Sequence, residues 1–392
     1  MNCPPHRVVV VGAGPAGLVT ALELARHGVH VTVLEAEPDI PRNLRGSTFH
    51  PSTLDMLEHA FGAASTLREL GLEAPKVQYR RHGRGPIAEF DFGDIADLTA
   101  HPFRVQAEQY KLCDALYAQL GELEHVTVRF SARVERAGQD PKGAFVQLSG
   151  GDRIDADYII GADGANSQVR RSSGIEFEGF TWPERFLVVS TPTNFLDLIA
   201  DLADVTYVAD PEQWYFLLRV PGLWRVMFPI GSQETDEEAL DPAAVQTRLR
   251  RVHDLGKDYE IAHLTLYNVH QRVASSYCDG RLLLVGDAAH VNNPLGGMGM
   301  NGGIHDAFNL AGKLLEVFDG ADERAALARY EEERRGVALE YVQRISIQNK
   351  RDLEAATSEA QAAFETRLND AATDRTKRRE LLRRLSMLAS LS

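Results

Sequence analysis

Three glycine-rich runs hold the residues whose types and spacing could do chemistry. The first is Gly12-Ala13-Gly14-Pro15-Ala16-Gly17, a G-x-G-x-x-G. Its first glycine allows a tight turn, its second lets a pyrophosphate approach the backbone, and its third lets a helix pack closely on a strand. Glu35 lies about 20 residues further on, with Ala36 beside it, placed to accept hydrogen bonds from ribose hydroxyls. The pattern points to a bound dinucleotide without choosing between FAD and NAD(P). Its bland alternative is a glycine-rich turn in some other α/β protein. The second run, Gly161-Ala162-Asp163-Gly164-Ala165-Asn166-Ser167, is on bare physics an ordinary turn into a helix that Ser167 can cap. The third begins at Gly286-Asp287-Ala288-Ala289-His290 and runs through Pro294, Gly296 and Gly299-Met300-Asn301. It opens a helix whose bare N–H groups suit an anionic or polarised ligand group. Asp287, at a strand end, could accept from a sugar or ribityl hydroxyl.

Each run needs a strand before it and a helix after it. Arg7 to Val11 is a short β-branched run, Val8 to Val11, with no polar alternation, as in a strand buried on both faces of a parallel sheet. Leu18 to His27 reads as a helix stopped by Gly28, and His30 to Leu34 as a second strand. Tyr158-Ile159-Ile160 and Leu282 to Val285 read as further buried strands, and Gly302 to Phe318 as a helix. The irregular stretch from Ala36 to Pro51 carries Arg45, which could pair with a pyrophosphate, and His50. Pro51 to Phe61 is a helix by its apolar spacing, and Thr66 to Leu70 is expected to be a turn. Lys76 to Phe92 alternates like an inserted hairpin. Gln106 precedes an amphipathic helix carrying Leu112, Leu116 and Leu120. Val126–Phe130, Arg133–Arg136, Phe145–Leu148 and Asp152–Asp155 are expected to form a small meander.

The middle third has another character. All three tryptophans, Trp182, Trp214 and Trp224, fall between Phe177 and Leu266, among alternating runs. The expectation is an antiparallel sheet with one face packed and one lining a cavity, most of the aromatics being core. The stretch from Ala321 to Ser392 reads as charged helices with an apolar stripe of Leu381, Leu382, Leu385 and Leu388.

The totals exclude some classes. The chain has 392 residues, room for two or three domains. Its net charge of −14 argues against nucleic acid, whose backbone wants a basic footprint. Cys3, Cys113 and Cys278 are scattered and form no CxxC, which reads as reduced thiols in a cytoplasmic protein. No stretch approaches the roughly 18 apolar residues of a membrane span.

Three glycine-rich turns in this order, with Glu35 between the first and second, resemble the group A FAD-dependent aromatic monooxygenases, the para-hydroxybenzoate hydroxylase family. The resemblance covers nearly the whole chain. It implies an α/β fold: a Rossmann-like FAD-binding domain with an inserted α+β substrate domain on an antiparallel sheet, and a helical C-terminal tail. The implied division is 1–75, 101–175 and 275–345 for FAD, 76–100 and 176–274 for substrate, and 346–392 for the tail. It implies bound FAD and transient NADPH or NADH, with a C4a-hydroperoxyflavin hydroxylating a phenolic or related ring. O2 and a small aromatic substrate are the implied partners, in a monomer or homodimer.

Roles carry over from that family to matching residues. Gly12, Gly14, Ala16, Gly17, Glu35, Ala36, Arg45, Gln106, Asp163 and Asp287, with the backbone of Gly299, Met300 and Asn301, would hold cofactor. Pro294 would lie beside the reacting ring. Trp214, Phe216, Arg219, Trp224, Met227 and Gly296, together with Pro294, are the expected substrate pocket, with Phe228 adding apolar wall. His50, Tyr215 and His290 are candidates for the base that ionises a phenol. The family's arginine and serine carboxylate anchor does not transfer, since the corresponding strand offers only Arg219. The alternatives are an FAD-dependent reductase or epoxidase on an isoprenoid-like substrate, and a non-catalytic flavin-binding module. A halogenase fits poorly, because Trp224-Arg225-Val226-Met227-Phe228-Pro229 lacks the second tryptophan and the isoleucine of W-x-W-x-I-P.

Overall fold

The computed structural model describes residues 6–42, 46–210, 212–354 and 357–391. The valine run is the strand Arg7–Val11, with Val8 to Val11 buried. It lies inside a six-stranded sheet in the order Cys278–Asp279, Leu282–Leu284, Tyr158–Gly161, Arg7–Val11, His30–Leu34, Val126–Arg129. All neighbours are parallel except the edge pair of Cys278–Asp279 with Leu282–Leu284. Helix Pro15–Arg26 packs between helices Gln109–Leu120 and Met298–Phe318 over this sheet. That cover explains the unbroken apolar runs.

Several boundaries differ from expectation for physical reasons. Val126–Arg129 is not in the meander, which consists of Val134–Asp140, Gly143–Leu148 and Arg153–Ala156. Its β-branched residues fit the parallel sheet edge equally well. Thr66 to Leu70 lies within a helix, Ala63–Leu70, that buries Leu67. The helix after the first turn begins at Pro15, whose fixed φ suits a first helical position. The long helix begins at Met298 despite Gly299, Gly302 and Gly303. Packing overrides propensity there: a Cβ at Gly303 would sit 2.9 Å from the Gly286 Cα.

A three-stranded sheet, ordered Thr48–Phe49, Arg104–Gln106, Leu72–Ala74, buries every residue of its central strand. The largest sheet has eight strands: His290–Val291, His263–Ala274, Phe177–Thr191, Leu223–Ile230, Tyr215–Val220, Val205–Ala209, Lys76–Arg81 and Gly85–Asp91. Only the pairing of Val205–Ala209 with Lys76–Arg81 is parallel. Strand alternation sorts its side chains. Tyr79, Tyr207, Phe216, Met227 and Val188 form one inner row. Tyr215, Leu217, Trp224, Val226 and Phe228 point outward onto helix Pro242–Val252. The C-terminal helices Ser358–Thr373 and Arg375–Leu385 place Phe364, Leu368, Leu382 and Leu385 in the inner cluster. Among the described residues no helix is long and apolar enough to cross a membrane.

One buried charge network ties the Gly286 turn to the long helix. Asp306 Oδ2 accepts from the Gly286 N–H (3.2 Å) and lies 2.7 Å from His290 Nε2. Its Oδ1 accepts from Arg334 Nε at 2.8 Å. Burial alone would raise this carboxyl's pKa, but the charges of His290 and Arg334 outweigh burial and hold it at about 2. Its stabilising contribution is therefore present above pH ~4, the unfolded carboxylate value, and is lost as pH falls through about 2. We expect that loss to amount to about 2–3 kcal/mol. Guanidinium unfolding between pH 5 and pH 2 measures it. Asp306→Asn should cost about 3–5 kcal/mol at neutral pH, because Arg334 loses its counter-charge. It should also flatten the acid slope; a slope equal to wild type would contradict the assignment.

Candidate active site

The three glycine-rich runs meet at one edge of the six-stranded sheet. Each follows the carboxyl end of a strand, and the strands Leu282–Leu284, Tyr158–Gly161, Arg7–Val11 and His30–Leu34 are consecutive neighbours. Open α/β sheets bind ligands at such strand ends. Gly12 has φ +104°, and a Cβ there would lie 2.4 Å from the Ala162 carbonyl oxygen. A Cβ at Gly17 would lie 2.1 Å from the Gly12 carbonyl oxygen. A Cβ at Gly286 would come within 3.1 Å of the Ala16 Cβ. The runs thus touch one another. Gly14 is different: a Cβ there would meet nothing within 4 Å, so open space faces the start of helix Pro15–Arg26.

The acids at this edge have distinct jobs. Glu35 is 8% exposed. Its Oε2 accepts from Ala13 N (2.8 Å) and its Oε1 from Glu37 N (2.9 Å), with Ala36 half-buried between. Each oxygen keeps acceptor capacity for a ribose hydroxyl. Asp163 Oδ2 accepts from Gln168 N (2.6 Å) and Val169 N (3.2 Å), which caps helix Gln168–Ser172 alongside Ser167. Its buried Oδ1 has no hydrogen-bond partner among the described residues. Burial pushes this carboxyl's pKa up. Asp287 stands exposed at its strand end. Arg45 lies outside the described residues.

Beyond the phosphate end, the Gln106 amide is a second fit test for a flavin. It is fully buried, and its Oε1 accepts from Thr48 Oγ1 at 2.8 Å. Its Nε2 has no acceptor among the described residues. A flavin edge carries carbonyl acceptors that such a donor needs, so open Gly14 and unsatisfied Gln106 both fit FAD. Gly299 and Met300 lie in the first turn of the long helix, where N–H groups lack intrahelical partners. The Asn301 side chain is fully engaged within the protein. Its Nδ2 donates to the carbonyls of Thr48 (2.8 Å) and Gly297 (2.7 Å), and its Oδ1 accepts from His50 N (3.0 Å). Only its backbone can serve a cofactor.

The inner face of the large sheet keeps some of the expected pocket and expels the rest. Phe216 and Met227 lie in the inner row. Trp214 shares that face, with its indole N–H donating to Glu354 Oε1 (3.3 Å) beneath the C-terminal helices. Trp224 and Phe228 are corrections: they differ in parity from Met227, so they point into the outer core, where Trp224 Nε1 donates to Asn194 Oδ1 (3.2 Å). Arg219 and Tyr215 likewise point away. Arg219 pairs with Asp204 at 3.2 Å, and Tyr215 Oη lies 3.1 Å from His82 Nδ1 with its hydroxyl pKa raised by burial. Tyr215 is no base for a substrate on the inner face.

The loop of Pro294 and Gly296 lies against that face. Pro294 O accepts from Gly297 N at 2.9 Å, closing a turn, and Gly296 has φ +105°. Gly296 N donates to Tyr207 Oη at 3.1 Å. His50 Nε2 donates to Gly296 O (2.8 Å) and Gly297 O (3.1 Å); carbonyls only accept, so Nε2 carries the proton. Burial, and then the charge of Arg104, hold the His50 pKa well below its ordinary value. His50 Nε2 is therefore a clamp on the loop, while its buried Nδ1 has no hydrogen-bond partner among the described residues. His290, bonded to buried Asp306, is likewise structural. Gln271 Oε1 accepts from Asn293 N at 3.1 Å and steadies the loop's other end. Tyr207, Gln271 and Arg225, which donates to Ser47 Oγ (2.9 Å), went unmarked in sequence. Their signal was strand parity, which names a face only once the register is known.

Two variants separate turn geometry from ligand space. Gly12→Ala should destabilise the fold by about 2–5 kcal/mol through strain and overlap. Gly14→Ala should stay within about 0.5 kcal/mol of wild type yet hold FAD roughly tenfold more weakly. Thermal unfolding and flavin titration of the apoprotein check both. Gln106→Leu should weaken FAD by roughly tenfold, the worth of one hydrogen bond; undiminished affinity would remove the amide from the cofactor set.

The comparisons agree with this geometry. A family model described as "FAD binding domain" matches residues 6–345. The chain is 33% identical over 394 residues to para-nitrophenol 4-monooxygenase of Pseudomonas sp. (strain WBC-3), covering 97% of this chain and 95% of that one. It is 32% identical over 358 residues to 6-hydroxy-3-succinoylpyridine 3-monooxygenase of Pseudomonas putida, covering 89% of each. The crystal structure of p-nitrophenol 4-monooxygenase from Pseudomonas putida DLL-E4 superposes with TM-score 0.91 at 30% identity, over 98% of this chain and 99% of that one. With its cradle at the strand ends and its length matched throughout, the chain belongs to the family of FAD-dependent aromatic monooxygenases.

Proposed function

We propose that this protein hydroxylates a phenol or hydroxypyridine, drawing electrons from NADPH or NADH and oxygen from O2. The observation that carries the reading is the placement of the Pro294–Gly297 loop between the FAD cradle and the aromatic inner row of Tyr207, Phe216 and Met227. Relatives named for p-nitrophenol and for a hydroxylated pyridine support the ring class. FAD, when bound, supplies hydride acceptance and oxygen activation. The chain supplies the setting. The first turn of the long helix, at Gly299 to Asn301, favours negative charge on a ligand edge. Gln106 Nε2 donates to the same ligand. Pro294 borders the ring to be hydroxylated, and the apolar row excludes water that would divert reduced oxygen to peroxide.

The test is a panel of phenols and hydroxypyridines, read by NAD(P)H loss, O2 uptake, peroxide yield and product analysis. Ring-hydroxylated product with little peroxide is expected for at least one compound. A flavin-loaded protein that oxidises no NAD(P)H across the panel would overturn the reading. The two faces of one strand offer a finer check. Met227→Ala, on the inner face, should raise the peroxide fraction several-fold. Trp224→Phe, on the outer face, should leave coupling unchanged and cost roughly 1–2 kcal/mol of stability.

A further inference from the structure

Among the described residues, Met227 carries the one sulfur in the inner row of the large sheet. Its register partners on that face are Val188 on one side and Phe216 on the other. The same sheet face touches the dinucleotide half on either side of it. Arg225, the next inward residue along the strand, donates from Nη1 to Ser47 Oγ at 2.9 Å. Tyr207, across Phe216, accepts from Gly296 N at 3.1 Å. Met227 lies between these contacts, so its thioether faces the interval between sheet and cradle in which the substrate ring is placed. Met227 and Phe216 each keep 8% exposure there, whereas Phe186, further along the face, keeps none.

The other described methionines are placed differently. Met298 and Met387 are buried and pack together with Val342. The Met300 sulfur is turned onto Gly46, where a Cβ would lie 3.3 Å from it. Met56 is half-buried on helix Pro51–Phe61. A thioether carries a polarisable sulfur lone pair, and methionine oxidises to its sulfoxide. Val188 and Phe216, on either side of Met227, carry no comparable group.

We propose that Met227 is a site of self-modification: peroxide made at the FAD while no substrate fills the chamber oxygenates it to the sulfoxide. The inference rests on the hydroxylase reading and goes beyond it. The sulfur lone pair takes one peroxide oxygen. The S–O bond forms, the O–O bond breaks, the sulfur gives up an electron pair, and the peroxide that gains it leaves as water. NAD(P)H, or any other reductant of the FAD, supplies the electrons that make the peroxide from O2. A substrate ring on the apolar row competes for the same oxygen and shields the sulfur. The sulfoxide puts a polar group into the wall that excludes water, so later turnovers lose more oxygen as free peroxide. Enzyme that idles without substrate thereby loses its coupling progressively.

The test uses the FAD-loaded enzyme, reduced by light and EDTA and then admitted to air, through repeated cycles with catalase in solution. Peptide mass spectrometry reads one added oxygen on each methionine. Met227 should gain it several-fold faster than Met56 or Met300, and a phenol that the enzyme hydroxylates should suppress the gain. Hydrogen peroxide added without cycling supplies the contrast: there the half-buried Met56 and Met300 should precede Met227. Met227→Leu nearly conserves apolar volume. That variant should hold its ratio of hydroxylated product to peroxide through cycles over which the wild-type ratio falls. Met227 left unmodified by cycling, or modified no faster than Met56 or Met300, overturns the inference and leaves the hydroxylase reading standing. Modification seen only when catalase is left out comes from bulk peroxide and overturns it as well. A flavin-loaded protein that neither hydroxylates a phenol nor oxidises Met227 removes both.

Discussion

The close approach of backbone to backbone at the strand ends is the constraint on which the remaining architecture depends. Gly12 turns at φ +104° directly against the Ala162 carbonyl, and Gly17 lies against the Gly12 carbonyl. Only residues without a Cβ allow that spacing. Because the turns touch, polar groups contributed by positions far apart in the chain gather along one edge. The Asp306 network then pins the Gly286 turn to the long helix. Backbone contacts and the Asp306 network thus hold the cradle from within the protein, and a turn ordered in that way lets binding energy go into holding the ligand.

The large sheet solves a different problem. It has to present apolar surface to a reacting ring on one side and build its own core on the other. Alternation does both at once: Met227 faces inward, while Val226 and Phe228 face outward onto helix Pro242–Val252. The same alternation puts Tyr207 inward and leaves Tyr215 and Arg219 outward. A slip of one residue along Tyr215–Val220 would exchange these sets entirely.

The cradle was legible in sequence because its signals are local. Glycine spacing, valine runs and an acid at a strand end declare themselves within a few residues, and strand Arg7–Val11, strand His30–Leu34 and helix Pro51–Phe61 have the boundaries their patterns suggest. The chamber was less legible because its information is relational. Trp224 reads as a pocket residue until pairing fixes its parity. The clamp that His50 Nε2 makes on the Gly296 carbonyl shows only once the loop is placed against it. Arg104 attracts no notice in the run Phe103-Arg104-Val105-Gln106, since only the fold buries it.

The docking of the C-terminal helices carries a consequence for biogenesis. Arg104 is bonded to the Leu385 carbonyl, Ser52 to the Ser386 carbonyl, and Arg334 to the Ser390 carbonyl. All the strands at the dinucleotide edge, and the long helix, precede residue 319. A ribosome-bound chain thus completes its nucleotide cradle well before translation delivers the segment that roofs the reaction chamber. Prosthetic-group loading can accordingly come first and enclosure later, so the nascent enzyme gains a sheltered interior only once the segment around Leu385 to Ser390 has emerged.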